Sequence, residues 1–261
     1  MKTTDNTILI TGGGSGIGRA FAEAFHKLGN QVIIAGRRKQ VLDETAAANP
    51  GLETAILDIE NPAAIKFFAS DITKRFPKLN VVLHSAGMMR AENLLAEEID
   101  LATAESTITT NLLGPIRLNA ALLPHLVKQS DGAILSISSG LAFLPMAITP
   151  TYCATKAAIH SYSQALRYQL RSTKVQVIEI IPPYVRTGLM GPRQAADERA
   201  MPLEDFITET MAILKTQSAV AETIVDRVKP LRFAEQGGSE KYDGFFKQFN
   251  EAMMAPHTNL S

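Results

Sequence analysis

Short apolar runs alternate along this chain with longer stretches in which apolar side chains recur at helical spacing. Thr7–Thr11 is apolar throughout its centre, the pattern of a strand buried on both faces of a parallel sheet. Further strands are predicted over Gln31–Ala35, Leu52–Leu57, Asn80–His84, Gly132–Ile137 and Val175–Ile181. Helices are predicted between them: one from Arg19, one over Pro62–Phe76 with its proline suited to a first turn, and one over Pro150–Thr173. From Glu98 to Gln129 a stripe of Ile108, Leu112, Leu118, Leu122 and Leu126 predicts a long helix. Pro115 should kink it, because proline removes a backbone donor. Strands and helices in alternation with short links predict an α/β fold, a doubly wound parallel sheet with ligands at the C-terminal strand ends. Six strands are clear and a seventh is uncertain.

The 261 residues read as one domain, 1–261. Within it, 188–230 mixes Gly, Pro and charges and is expected to be a substrate loop or lid. Gly237 and Gly238 set off a C-terminal helical extension, 231–261, with a stripe of Tyr242, Phe245, Phe246, Phe249 and Met253. That stripe is expected to pack on its own domain.

Composition narrows the function. Basic and acidic residues balance at 26 each, so nothing suggests a face built for nucleic acid. The single cysteine, Cys153, excludes an intramolecular disulfide and fits a reducing compartment. Residues 132–155 carry no charge, but Gly140, Pro145, Pro150 and several hydroxyls interrupt them, so a strand, a loop and a helix start explain the window better than a membrane span. The first residues lack the apolar core of a signal peptide. A cytoplasmic protein with no membrane partner is expected.

Chemistry enters at the first turn. Thr7–Thr11 runs into Gly12, Gly13, Gly14, Ser15, Gly16, Ile17 and Gly18, and a helix follows. Strand, glycine-rich turn and helix in this order make a phosphate site, with helix N–H groups and a positive dipole end facing the anion. After the second strand, where an acidic residue would bind an adenosine ribose, stand Arg37 and Arg38. Arginine favours a 2′-phosphate through charge-assisted bonds, so NADP(H) is expected as cofactor and NAD(H) is the second choice. The alternative is that both arginines only start a solvated helix. Asp58, followed by Ile59, is placed to meet an adenine amino group, and the small Ser85, Ala86 and Gly87 would let a cofactor lie close.

Tyr152 and Lys156 stand one helical turn apart, and Ser139 ends the fifth strand thirteen residues earlier. Tyr-x-x-x-Lys alone is common on solvated helix faces. Beside a cofactor site it becomes an acid–base pair, in which the ammonium should lower the phenol's pKa. Asn111 sits in the long helix beside the Pro115 irregularity.

In these residues the chain resembles the short-chain dehydrogenase/reductase family, over roughly residues 5–190. The family's Thr-Gly-x-x-x-Gly-x-Gly motif stands as Thr11, Gly12, Gly16 and Gly18, and its Asn-Asn-Ala-Gly as His84-Ser85-Ala86-Gly87. Its Asn-Ser-Tyr-Lys tetrad maps onto Asn111, Ser139, Tyr152 and Lys156. Its Pro-Gly motif is Pro182-Pro183, which removes a backbone N–H beside the nicotinamide. The Pro-Pro pair and the general texture also resemble a subgroup that includes dehydrogenases encoded with lipoteichoic-acid D-alanylation genes.

The resemblance implies a Rossmann-type fold and alcohol/carbonyl redox on a small-molecule substrate. It implies Tyr152 as proton donor, Lys156 on the nicotinamide ribose, Ser139 on the reacting oxygen and Asn111 holding a relay water. It places Pro182, Val185 and Thr187 against the nicotinamide, predicts a homodimer or homotetramer, and calls for no metal. Phe143, Leu144, Met146, Ile148, Tyr184, Leu189 and Met190 are expected as apolar substrate walls, together with the loop Met88–Arg90. A regulator that binds NADP(H) without turnover is the alternative function, and it would not need the tyrosine or the lysine.

Overall fold

The computed structural model describes residues 1–99, 101–217 and 219–254. Asp100 and Ser218, and positions 255–261 of the expected C-terminal extension, therefore lie outside the described residues. The first half of the chain runs β1 (Thr7–Thr11), α1 (Gly16–Lys27), β2 (Gln31–Gly36), α2 (Lys39–Ala48), β3 (Glu53–Ile56), α3 (Pro62–Arg75) and β4 (Leu79–His84). It continues through α4 (Ala102–Ile108), α5 (Gly114–Leu126), β5 (Gly132–Ile137), α6 (Pro150–Gln169) and β6 (Val175–Ile181). The remainder is α7 (Pro192–Ala196), α8 (Leu203–Thr216), β7 (Glu222–Ile224), α9 (Lys229–Arg232) and α10 (Ser239–Met254).

All neighbouring strands pair in parallel, in the order β3-β2-β1-β4-β5-β6-β7. The order reverses between β1 and β4, which opens a crevice at their C-terminal ends, the place where such sheets take ligands. Helices cover both faces. One apolar layer joins Phe21, Phe25 and Phe206 to the sheet, and the other joins Ile65, Ile72, Leu118 and Leu122 to it. The strand interiors are buried on both sides, which is why they read as apolar runs and not as alternations.

The uncertain seventh strand is real. Its three residues are too short for a periodic signal, yet they pair with β6 from Glu179↔Glu222 to Ile181↔Ile224. The segment expected as a lid is thus not uniform. Phe206 and Leu214 of α8 are fully buried, so this part belongs to the sheet's covering layer. The earlier part, 188–201, borders the crevice.

The long predicted helix is broken where Pro115 requires. Proline has no N–H to give the Asn111 carbonyl, and the chain takes a wider π-type turn over Thr109–Leu113, closed by Gly114 N–H donating to the Thr109 carbonyl. No described helix is long and apolar enough to cross a membrane.

Candidate active site

A cavity of about 950 Å³ lies along the C-terminal ends of β1, β2, β4 and β5. At one end it is lined by Gly12, Gly14, Ser15, Gly16 and Ile17, with Arg37, Arg38 and Ile59. Ser85, Ala86 and Gly87 border it midway, and Ser139, Tyr152, Lys156, Pro182, Val185 and Thr187 line the other end. Two of the expected cofactor contacts stand behind the wall. Gly18 packs against the turn itself, where a Cβ would meet the Gly12 carbonyl oxygen at 2.5 Å. The Asp58 carboxylate accepts the Glu60 N–H at 3.0 Å and is not among the lining residues, although Leu57 and Ile59 on either side of it are.

Gly12 is required twice over. Its φ is +69°, and an added Cβ would lie 2.8 Å from the Ala86 backbone. Gly12→Ala should therefore lower unfolding stability by roughly 2–4 kcal/mol, read as a fall in the urea midpoint.

The two arginines differ. Arg37 donates to Glu60 at 2.7 Å, and Thr110 donates to the same carboxylate oxygen at 2.9 Å. Arg38 makes a longer contact, 3.3 Å, to the Ser15 hydroxyl of the glycine turn. Arg38 is thus the guanidinium that leans over the mouth of the phosphate-type turn.

At the other end, α6 starts at Pro150 and is pinned by Glu92, whose carboxylate accepts from Thr151 N–H at 3.0 Å and from its hydroxyl at 2.7 Å. An anion at a helix N-terminus is favourable. Tyr152 and Lys156 follow on one face, each 7% exposed. The Lys156 ammonium donates to the Ile137 carbonyl at 2.8 Å and lies 5.5 Å from the Tyr152 ring centroid.

The electrostatics correct one expectation. Burial pushes the Tyr152 phenol above its ordinary value; its hydrogen bond with Ser139 works the other way. Burial lowers Lys156 to about 8, and Glu179 opposes that fall. Proximity of the ammonium does not bring the phenol down here, because the loss of water around the buried phenol outweighs it.

Asn111 lies outside the lining, 2% exposed. Its amide accepts the Met88 N–H at 2.9 Å, donates to the Met88 carbonyl at 2.9 Å and reaches Thr155 Oγ1 at 3.3 Å. The side chain is occupied in holding the Met88 loop. The backbone carbonyl is the group that Pro115 leaves without its helical donor.

The substrate end departs most from expectation. Met146, Tyr184, Leu189 and Met190 line the cavity, with Met88, Met89 and Arg90. Phe143, Leu144 and Ile148 do not: Leu144 is fully buried, Ile148 packs in a small core beside Tyr152, and the Phe143 ring meets His160. Their place is taken by Phe249 and Met253 of α10, fixed over the site by Asn250, which accepts from Ala147 N–H at 2.6 Å and donates to the Pro145 carbonyl at 3.1 Å. The stripe on this helix is visible in sequence, but its partner surface is not. The 188–201 segment is stitched down as well. Gln194 Nε2 donates to the Val185 carbonyl at 2.9 Å, and Met201 N–H to the Tyr184 carbonyl at 2.8 Å.

His84, where the family has asparagine, is buried with Nε2 2.7 Å from Asn119 Oδ1. Its Nδ1 has no partner among the described residues. Burial pushes the imidazole from 6.5 down to about 4. The unfolded chain binds this proton at higher pH than the folded one, so stability is lost as pH falls from about 6.5 towards 4, by roughly 3 kcal/mol in all. His84→Asn should flatten that part of the pH dependence, checked by urea unfolding at pH 7 and pH 5.

Similarity to known proteins agrees with this geometry. The short chain dehydrogenase family model matches residues 6–198. DltE of Bacillus subtilis strain 168, described as an uncharacterized oxidoreductase, is 38% identical over 253 residues, 96% of this chain and 98% of that protein. A short chain dehydrogenase from Burkholderia cenocepacia in complex with NADP superposes with a TM-score of 0.80 over 94% of this chain and 99% of its own; at 20% identity it speaks for the fold alone. The closed form of a serine dehydrogenase complexed with NADP+ gives 0.74 at 26% identity, over 82% and 93% of the two chains. With its family model matched over most of its length and a full-length relative at this identity, the chain belongs to the short-chain dehydrogenase family, a family of oxidoreductases.

Proposed function

We propose that this protein is an NADP(H)-dependent oxidoreductase interconverting an alcohol and a carbonyl on a substrate with a hydrophobic body. The observation that carries this reading is one cavity lined by the glycine turn and Arg38 at one end and by Ser139, Tyr152 and Lys156 at the other. The glycine turn fits a nicotinamide dinucleotide: its missing Cβ atoms leave N–H groups and the α1 N-terminus open to a phosphate. NADP+ in the serine dehydrogenase structure supports the same choice.

The bound nicotinamide supplies the hydride acceptor or donor. The chain does the rest. Lys156 holds the ribose end and keeps a positive charge beside Tyr152. In reduction the Tyr152 phenol, kept protonated by burial, gives its proton to the substrate oxygen. The Ser139 oxygen is fixed by Leu141 N–H at 3.1 Å, which leaves its proton to bond the same substrate oxygen as charge develops there, a contribution of roughly 3–4 kcal/mol. The Asn111 carbonyl is the place for a relay water behind Lys156. Met88, Met89, Met146, Met190, Phe249 and Met253 exclude bulk water and favour an apolar substrate of adaptable shape.

Titration of the protein with NADPH and NADH side by side, followed by NADPH consumption with hydrophobic ketones and aldehydes, tests the reading. Tighter NADPH binding with turnover is expected. Binding without turnover of any carbonyl or alcohol would favour the regulator, and binding of neither nucleotide would remove the reading altogether.

A further inference from the structure

β6 is apolar except for the exposed Gln176 and for Glu179, whose side chain has no solvent exposure. Its carboxylate is fully engaged. Oε1 accepts from the Ser138 hydroxyl at 2.5 Å, and Oε2 lies 2.7 Å from His160 Nδ1. Gln164 Nε2 approaches His160 Nε2 at 3.1 Å, so that nitrogen is the acceptor and Nδ1–H donates to Glu179.

This pair sits directly behind the acid–base site. Ser138 lines the cavity and follows Ile137, whose carbonyl takes the Lys156 ammonium. His160 is one turn beyond Lys156 on the same face of α6. We infer that Glu179, held by Ser138 and His160, is a positioning residue: the buried counter-ion that keeps Lys156 in its ammonium form. The inference rests on the role given to Lys156 above.

The charges around it bear this out. From β7, Glu222 faces Glu179, and the ligand atoms of His160, Glu179 and Glu222 all lie within 4.8 Å of one another. Those atoms have the spacing of a cation site, but Arg232 of α9 already supplies the cation, bonding Glu222 at 2.8 and 3.1 Å. Glu179 itself also attracts Arg232, and Glu235 does so more weakly. Glu222 is thus bonded to Arg232, Arg167 of α6 spends its guanidinium on the Val177 and Ala221 carbonyls, and the neighbours from β5 and the turn after it, Ser136 and Ser138, are neutral. The anion whose attraction acts on Lys156 is Glu179. Without an anion, burial would drive a lysine towards its neutral form, and Glu179 is the group that opposes this.

The test follows the Lys156 Cε resonance through a pH titration of isotopically lysine-labelled protein, assigned by its loss in Lys156→Arg. Glu179→Gln removes the charge and keeps the shape. Its oxygen can still accept from Ser138, and its amide can donate to an imidazole of the opposite tautomer. The Lys156 midpoint, near 8 in the natural protein, should fall by about one pH unit or more in this variant. The alkaline limb of the reductase pH profile should fall with it. Glu179→Asp retains the charge and should stay near the natural midpoint. His160→Lys, at the partly exposed end of the pair, sets a competing cation against Glu179 and should also lower it.

A purely structural role predicts the reverse order, with the shortened aspartate worse than glutamine. That order, or an unchanged midpoint in Glu179→Gln or His160→Lys, would overturn the inference. Because the resonance is read in the protein without substrate, a shifted midpoint in a protein that turns over no carbonyl would count against the proposed reaction and leave the counter-ion standing.

Discussion

Tyr152→Phe is expected to lower carbonyl reduction by about three orders of magnitude, within the range that general acid–base catalysis contributes, while NADPH binding changes little. The ring is 7% exposed and packs with Met89, Met146 and Ile148, contacts that phenylalanine keeps. Only the hydroxyl and its hydrogen bond with Ser139 are lost. Steady-state rates and nucleotide titration on the same preparation separate the two effects. The same site predicts a pH dependence. Reduction needs a protonated phenol and a charged Lys156, and the lysine gives up its proton near 8. Reduction should therefore decline as pH rises through that value. Turnover within tenfold of the natural protein in Tyr152→Phe would mean that another group donates the proton.

The second large effect concerns the nucleotide. Arg38→Ala should weaken NADPH binding by roughly 30-fold, about 2 kcal/mol, and leave NADH nearly unchanged, because only the former carries a 2′-phosphate for a charge-assisted bond. Arg37→Ala should cost less. Its guanidinium is already bonded to Glu60 at 2.7 Å, so its charge is partly compensated before any ligand arrives. Calorimetric titration of both variants with both nucleotides gives four constants to compare. Equal losses for NADPH and NADH in Arg38→Ala would assign this arginine to some feature the two share, and a larger loss in Arg37→Ala would reverse the order argued from the ion pair.

Much of this protein was legible residue by residue. The predicted strand limits Thr7–Thr11, Gly132–Ile137 and Val175–Ile181 coincide with those observed, because a strand buried on both faces needs an unbroken apolar run and short links bound it sharply. The break at Asn111 followed from a single missing N–H at Pro115. Reading stopped where an element was short or its partner distant. Three residues of β7 carry no period. Phe249 and Met253 show a stripe that would suit any apolar surface, and only the Asn250 bonds to Pro145 and Ala147 turn it towards the cavity.

The sequence by itself determined the alternation of the first six strands with helices, the glycine turn, and which side chains are candidates to carry protons and phosphate. These are local matters of backbone freedom, periodicity and side-chain chemistry. The tertiary structure alone decided which groups are desolvated together. It raised the Tyr152 phenol where proximity to lysine suggested the opposite, tied Arg37 to Glu60, and set Glu179 behind Lys156. The reason is physical: a charge's free energy depends on the water it loses and the charges it faces. Both are fixed by segments far apart in the chain, and no local pattern records them.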